Sequence, residues 1–356
     1  MWQVASLIKF QSKIRVILTF FKIYVIINYK GGTKMYNIAQ VISLICNGHC
    51  NYCMCGNELL MSDKDKKEVD INDLIDFYRM LDSDEVMQVK ITGGETFHPL
   101  VVDRTQKLVE YLLYERKGPL DSIQINSNGY FKIPDFCKHP AVKIQFSLDG
   151  DKDYQNKTCG IPVFDRVIAN IKYCQKSGIN CYIMSVITNG NLKNIENLIE
   201  ATKYLNGVEI KSQYVAPVGF GKEMHGETML GLRTVEEANK RWGFVRPYHT
   251  ICPHTFTDNR NKTFCIKANG VITQCPILQQ FETKYNIYNI TKEEIESGVL
   301  KNELNSMFGM KSCCFPNGFY EYYNSLDDSE KEEFESLLEP QQKAFVHERM
   351  EKSLND

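Results

Sequence analysis

The chain has 356 residues, a net charge of −2, 43% apolar and 24% charged residues: an ordinary globular balance, long enough for one large domain and a smaller one. The near-neutral charge, with no basic block in the interior, offers no nucleic-acid surface, and no run reaches the roughly 20 uncharged apolar residues of a spanning helix. Thirteen cysteines, an odd number with Cys313 and Cys314 adjacent, exclude a disulfide framework and point to metal or redox use in a reducing, cytoplasmic setting.

Residues 1–34 are apolar with interspersed Lys9, Lys13, Arg15 and Lys22, and they lack a small-residue cleavage site. Three readings stay open: an extension read through from a start at Met35, a basic amphipathic membrane-surface helix, or a docking element. Any membrane contact is expected through this segment alone.

From Met35 onward, apolar strand-like runs alternate with amphipathic helical stretches. "IAQVISLI", "VMQVKIT", "SIQINS", "VKIQFSL", "CYIMSVIT" and "VEIKSQYVA" read as strands. In "INDLIDFYRML" the residues Ile71, Leu74, Ile75 and Tyr78 recur at helical spacing; two further helical patterns stop at Gly178 and Gly207. Six strand–helix repeats predict an α/β fold, a parallel sheet curled into a partial, open (β/α)6 barrel over residues 35–230. In such sheets the site lies beyond the carboxyl ends of the strands. The residues that follow each strand are Cys46, Gly93-Gly94-Glu95, Ser127-Asn128-Gly129, Ser147-Leu148-Asp149-Gly150, Thr188-Asn189-Gly190 and Pro217-Val218-Gly219.

"SLICNGHCNYCMCGNELL" places Cys46, Cys50, Cys53 and Cys55 within ten positions. A C-x3-C-x2-C spacing lets three thiolates converge on one inorganic unit. With three ligands, a [4Fe–4S] cluster keeps one iron open. Cys55, a single residue beyond Cys53, strains that convergence and reads as a bystander. The structural alternative is a zinc loop completed by His49 or Cys55.

After residue 250, Asn269-Gly270 between alternating apolar runs predicts a two-residue hairpin turn that opposes Cys265 to Gln274. That register turns Cys275 to the other sheet face, which favours Cys252 and Cys275 with Cys313 or Cys314 as a second ligand set and leaves Cys265 facing the core; a fourth thiolate keeps Cys265 in play. Cys137, Cys159, Cys174 and Cys181 read as small buried hydrophobes. A small α+β domain is expected over 231–323, and residues 324–356 form a charged tail of helical pattern, solvated or docking.

C-x3-C-x2-C after the first strand, "GGE" after the second and "SLDG" after the fourth together resemble the radical S-adenosylmethionine (radical SAM) enzymes over roughly residues 36–220. The resemblance implies that Cys46, Cys50 and Cys53 bind a [4Fe–4S] cluster whose open iron is chelated by S-adenosylmethionine, which is reductively split to a 5′-deoxyadenosyl radical that abstracts a substrate hydrogen. It further implies cofactor contacts from Tyr52, Gly93, Gly94, Glu95, Ser127, Asn128, Ser147 and Asp149, and a one-electron donor such as a flavodoxin or ferredoxin. An arginine that relatives carry shortly after "SLDG" is missing; only Lys157 is offered there.

"CIKANGVITQCP…CC" is similar to the carboxyl-terminal SPASM and twitch extensions of radical SAM maturases, in which a glycine ahead of a cysteine, as Gly270 stands to Cys275, marks an auxiliary [4Fe–4S] site. Too few cysteines remain for a second auxiliary cluster, so the segment looks more like a twitch. On this resemblance Cys252, Cys265, Cys275, Cys313 and Cys314 are the candidate auxiliary ligands, with Cys314 alternatively a catalytic hydrogen-atom donor. Peptide or protein modification is the expected activity: crosslinking, epimerisation or side-chain oxidation. A small-molecule dehydrogenase or mutase, or a non-catalytic redox sensor, are the alternatives.

Overall fold

A computed structural model describes residues 35–56, 67–83, 85–188, 195–205, 208–215, 219–223, 262–273, 283–300, 302–303, 327–329 and 331–332. Six strands follow the sequence in order: β1 (Met35–Ser43), β2 (Val86–Gly93), β3 (Leu120–Ser127), β4 (Val142–Ser147), β5 (Asn180–Ile187) and β6 (Glu209–Tyr214). Each pairs in parallel with the next, so the sheet runs β6-β5-β4-β3-β2-β1. The connections carry α1 (Ile71–Met80), α2 (Val102–Glu110), α3 (Lys152–Cys159), α4 (Phe164–Ser177) and α5 (Ile195–Thr202). This is the expected α/β parallel sheet of a partial barrel.

Local chemistry sets these elements. The Asp70 carboxylate accepts from Asn72 N and starts α1, whose buried stripe is Ile71, Leu74, Ile75, Phe77 and Tyr78. Asp151 caps α3 in the same way, through Tyr154 N. Helix α4 ends at Gly178 in the left-handed region, as expected. Helix α5 ends earlier than its pattern suggested, at Thr202, where the hydroxyl turns back to Leu198 O at 2.8 Å; Gly207 lies outside the described residues.

Registers divide the sheet into two faces. Gln40, Ile91 and Ile125 share a row, as do Ile38, Val89 and Ile123, and these lie under the helices, where Tyr78 reaches Gln40 Oε1 at 3.4 Å. The opposite, concave face carries Ala39, Lys90, Gln124, Gln145 and Tyr182. Its polar floor is tied together by Gln124 Nε2 and Tyr182 OH, which both donate to Gln145 Oε1, at 3.0 and 2.8 Å.

Two further strands extend the sheet from the other side of β1: β7 (Thr263–Ile266), parallel to β1, and β8 (Ile272–Thr273), antiparallel to β7. A short helix, α6 (Lys292–Ser297), follows, with a complete capping box from Thr291 and Glu294. The hairpin register corrects the expected one. Cys265 faces Thr273, not Gln274, because the loop is three residues long: Lys267 N donates to Val271 O and Gly270 takes φ +83° at the bulge position. The pairing argument that separated Cys265 from Cys275 therefore loses its premise.

Candidate active site

The carboxyl ends of β1 to β5 converge on one rim. The loop after β1 is held by main-chain bonds to α3: His49 N donates to Cys159 O at 2.9 Å and Asn51 N to Thr158 O at 3.4 Å. Its far end is closed by Cys53 O, which accepts from Gly56 N and Phe220 N. Cys46, Cys50 and Cys53 lie half-buried on this loop and carry no disulfide. Among the described residues no three cysteine, histidine or carboxylate donors share a metal-binding geometry. Cys50 Sγ is instead turned to Cys159 Sγ at 3.6 Å, and Cys53 receives a hydrogen bond from Cys55. That bond holds the Cys53 thiol down at about 7, while burial pushes Cys46 up to about 12 and the contact with Cys159 pushes Cys50 up as well. Three soft, partly exposed thiols on one short loop are a fitting donor set for an iron–sulfur cluster that leaves one iron open. Cys55 is buried, and its sulfur lies 3.9 Å from Gly93 O.

The β2 loop is packed onto this one at backbone distance. Gly94 N donates to Ser43 O and Glu95 N to Ile45 O, both at 2.8 Å. A Cβ on Gly94 would stand 2.1 Å from Ile45 O and 3.1 Å from Cys46 Cβ, so only glycine admits this approach beside the first motif cysteine.

Glu95 is fully buried and works within the protein. Its Oε1 accepts from Phe97 N at 3.0 Å and Ser127 Oγ at 2.8 Å; its Oε2 accepts from Asn128 N at 2.7 Å. Burial outweighs these bonds and holds the carboxyl up at about 7. Asn128 also donates to Asn47 Oδ1 at 3.0 Å, joining the β3 loop to the cysteine loop. Asp149 is likewise fully buried and raised to about 7 by burial; Val186 N donates to its Oδ1 at 2.7 Å and Tyr52 OH to its Oδ2. Ser147 is half-buried at the rim. Tyr52, Glu95, Ser127, Asn128, Ser147 and Asp149 are thus brought together, with the two carboxylates acting as ties between loops.

Two residues join the site that sequence reasoning passed over. Gln155, fully buried on α3, accepts from Asp149 N at 2.7 Å and donates to Ser147 O and Cys159 Sγ, both at 3.3 Å. Cys159 is buried like the small hydrophobe it was expected to be, but it also touches Cys50. Their i, i+4 spacing right after "SLDG" was the available signal. Lys157, by contrast, is exposed and does not enter the site.

Cys265 is fully buried against Ala39, Val41, Leu44, Cys55 and Ala268, with Cys53 packed beside that cluster. Cys252, Cys275, Cys313 and Cys314 lie outside the described residues, as do residues 1–34 and most of the charged tail. No helix among the described residues is long and apolar enough to cross a membrane.

Residues 41–202, the span from β1 to α5 that bears this rim, match the model of the radical SAM superfamily. This match spans 162 of the 356 residues, just under half of the chain, and together with the enzymes that the chain resembles it supports an enzymatic role. The chain is 25% identical over 190 residues to a GTP 3′,8-cyclase of Clostridium perfringens (strain SM101 / Type A), a match covering 51% of this chain and 56% of the relative, so the chain spans about half the length of the curated relatives it matches. Among solved structures it resembles Streptococcus suis SuiB bound to precursor peptide SuiA, with a TM-score of 0.59 at 17% identity, covering 77% of this chain and 67% of that one. It also resembles native anSMEcpe with bound AdoMet, with a TM-score of 0.54 at 14% identity, covering 76% of this chain and 83% of that one. These structural likenesses establish a shared fold.

Proposed function

We propose that the chain modifies a peptide or protein substrate by radical SAM chemistry. Bound by Cys46, Cys50 and Cys53, a [4Fe–4S] cluster with S-adenosylmethionine supplies reductive cleavage and hydrogen abstraction. The chain's own residues set the rim for it. Gly93 and Gly94 allow close backbone approach, Glu95 and Asp149 lock the β2, β3, β4 and β5 ends together, and Ser147 and Asn128 present polar groups toward the rim. A reacting carbon has to be held about 3–3.5 Å from its attacker with water kept out.

The observation that carries the peptide reading is the extent of the fold likeness. It covers 77% of the chain for SuiB, whose structure holds a precursor peptide, well beyond the residues 41–202 matched by the superfamily model. The same reading assigns an auxiliary [4Fe–4S] cluster to ligands drawn from Cys252, Cys265, Cys275, Cys313 and Cys314, gives Cys314 an alternative role as hydrogen-atom donor, and takes electrons from a flavodoxin or ferredoxin. The similarity to GTP 3′,8-cyclases favours a second reading, a small-molecule substrate.

The test is anaerobic. Protein is reconstituted with iron and sulfide, given S-adenosylmethionine and reductant, and the 5′-deoxyadenosine released is measured with a cysteine-containing peptide library or with GTP. Stimulation by peptides, absent when Cys46, Cys50 and Cys53 are all changed to Ala, supports the reading. Stimulation by GTP alone overturns the peptide assignment. An iron content of about eight per chain, against about four, supports the auxiliary cluster.

A further inference from the structure

Helix α3 touches both halves of the rim at once. Its last turn is bonded through main chain to the cysteine loop on either side of Cys50, by His49 N to Cys159 O and Asn51 N to Thr158 O. Its buried amide, Gln155, holds the β4 loop through Asp149 N and Ser147 O. The same amide donates to Cys159 Sγ, which lies 3.6 Å from Cys50 Sγ. We infer that Cys159 is a positioning residue that hydrogen-bonds the sulfur of Cys50 when Cys50 ligates the cluster, and that Gln155 orients it.

The chemistry follows from what each atom can offer. A metal-bound Cys50 is a thiolate and has no proton to give, so in that state the Cys50–Cys159 contact requires Cys159 as the donor. With Cys50 protonated, Cys50 donates to Cys159, whose sulfur also accepts from Gln155 Nε2; once Cys50 is a thiolate, the amide still holds the Cys159 lone-pair side and the Cys159 S–H is the proton left to point at Cys50. Hydrogen bonds to ligand sulfurs stabilise the reduced, more negative cluster and raise its potential. The other Gln155 bonds run to Ser147 and Asp149, so a change in that loop on binding S-adenosylmethionine is transmitted to the donor on Cys50 through one side chain. An amide suits this hub because it donates twice and accepts once; a carboxylate in its place would face Ser147 O and the sulfur with lone pairs only.

This inference rests on the radical SAM reading of the site, and its test separates the two. Reconstituted wild type, Cys159→Ala, Cys159→Ser and Gln155→Leu are compared by anaerobic redox titration and by the EPR spectrum of the reduced cluster, with and without S-adenosylmethionine. Iron content and circular dichroism serve as checks on folding. Cys159→Ala is expected to keep its iron and shift the midpoint potential negative, and Cys159→Ser, which still donates, to restore most of that shift. Gln155→Leu is expected to shift the potential in the same direction and to weaken the spectral change on adding S-adenosylmethionine. If Cys159→Ala keeps the wild-type potential and spectrum, the inference is overturned whatever Gln155→Leu does. If wild type itself shows no cluster signal, it is the cofactor reading that fails.

Discussion

Replacing Glu95 by Gln changes one atom of a buried hub and gives a pH-dependent result. The carboxyl takes three donors, from Phe97 N, Ser127 Oγ and Asn128 N, at full burial. Burial raises it from the ordinary 4.5 to about 7. The folded state therefore holds this proton more tightly than the unfolded chain. Its stabilising effect is fully present below pH 4.5 and is lost as pH rises through about 7, a fall of about 3 kcal/mol at ~1.36 kcal/mol per pH unit. Glutamine has no such titration. Its NH2 must instead face one of the three donors, an unmade bond that costs about 1–3 kcal/mol at every pH. The variant should thus be less stable than wild type at pH 5 and draw level with it, or pass it, by pH 8. Asp149, raised by the same cause, titrates in both proteins and cancels from the difference. Urea unfolding of the cluster-free proteins between pH 4.5 and 8 measures this, with far-UV circular dichroism as the signal. Two stability curves running parallel across that range would refute the claim that Glu95 is a buried, proton-holding tie.

Three other perturbations test separate joints. Gly94→Ala places a methyl 2.1 Å from Ile45 O beside Cys46; iron incorporation should fall by about the four irons of one cluster while circular dichroism stays native, and full iron content would remove the close-approach argument. Air oxidation of cluster-free protein should join Cys50 to Cys159, two thiols passing their electrons and protons to dioxygen, because their sulfurs lie 3.6 Å apart on a loop and a helix end bonded to each other; peptide mapping that finds Cys46 or Cys53 paired with Cys50 instead contradicts it. Tyr36→Phe removes the 2.8 Å bond from the fully buried β1 hydroxyl to Glu296 on α6, and should cost about 1.5–3 kcal/mol in urea unfolding; a loss below about 0.5 kcal/mol means that this joint contributes nothing.

The strands and the order of their loops were legible because period and turn chemistry are local. Each of the six predicted runs became a strand, and the described residues that follow β1 to β5 lie at one rim. What those rim residues do was less legible, because it depends on partners far away in the chain. Glu95 reads from sequence as a ligand-facing carboxylate; its donors at Ser127 and Asn128, 32 and 33 positions on, make it an internal tie. Asp149 is held by Val186, 37 positions on, and by Tyr52, 97 positions back. Gln155 offered only its spacing to Cys159 after "SLDG", and the packing of α3 between two loops is what gives it a role. The hairpin failed by one residue for a local reason. Asn-Gly suits a two-residue turn, but it equally suits a three-residue loop with glycine at the bulge, and here Asn269 Oδ1 accepts from Val271 N at 3.1 Å and fixes the longer form.

That one-residue difference bears on the second cysteine group. Strand β7 lies parallel to β1, opposing Cys265 to Ala39, and directly opposed residues share a sheet face. Cys265 therefore stands on the concave wall with Ala39 and Val41, in one apolar cluster with Cys55 and beside Cys53. A thiol packed in such surroundings behaves as a small hydrophobe. Its packing thus argues for a core role, while its position along β1 puts it close to the first cysteine motif despite the long intervening chain. The first cysteine motif and the second group are therefore not insulated modules: the strand that begins the later segment is part of the wall behind the first motif. A change at Cys265 is bound to be felt there, so iron loss in a Cys265 variant cannot by itself assign that residue to an auxiliary cluster. The spectrum of the cluster held by Cys46, Cys50 and Cys53 says whether the first motif has been disturbed.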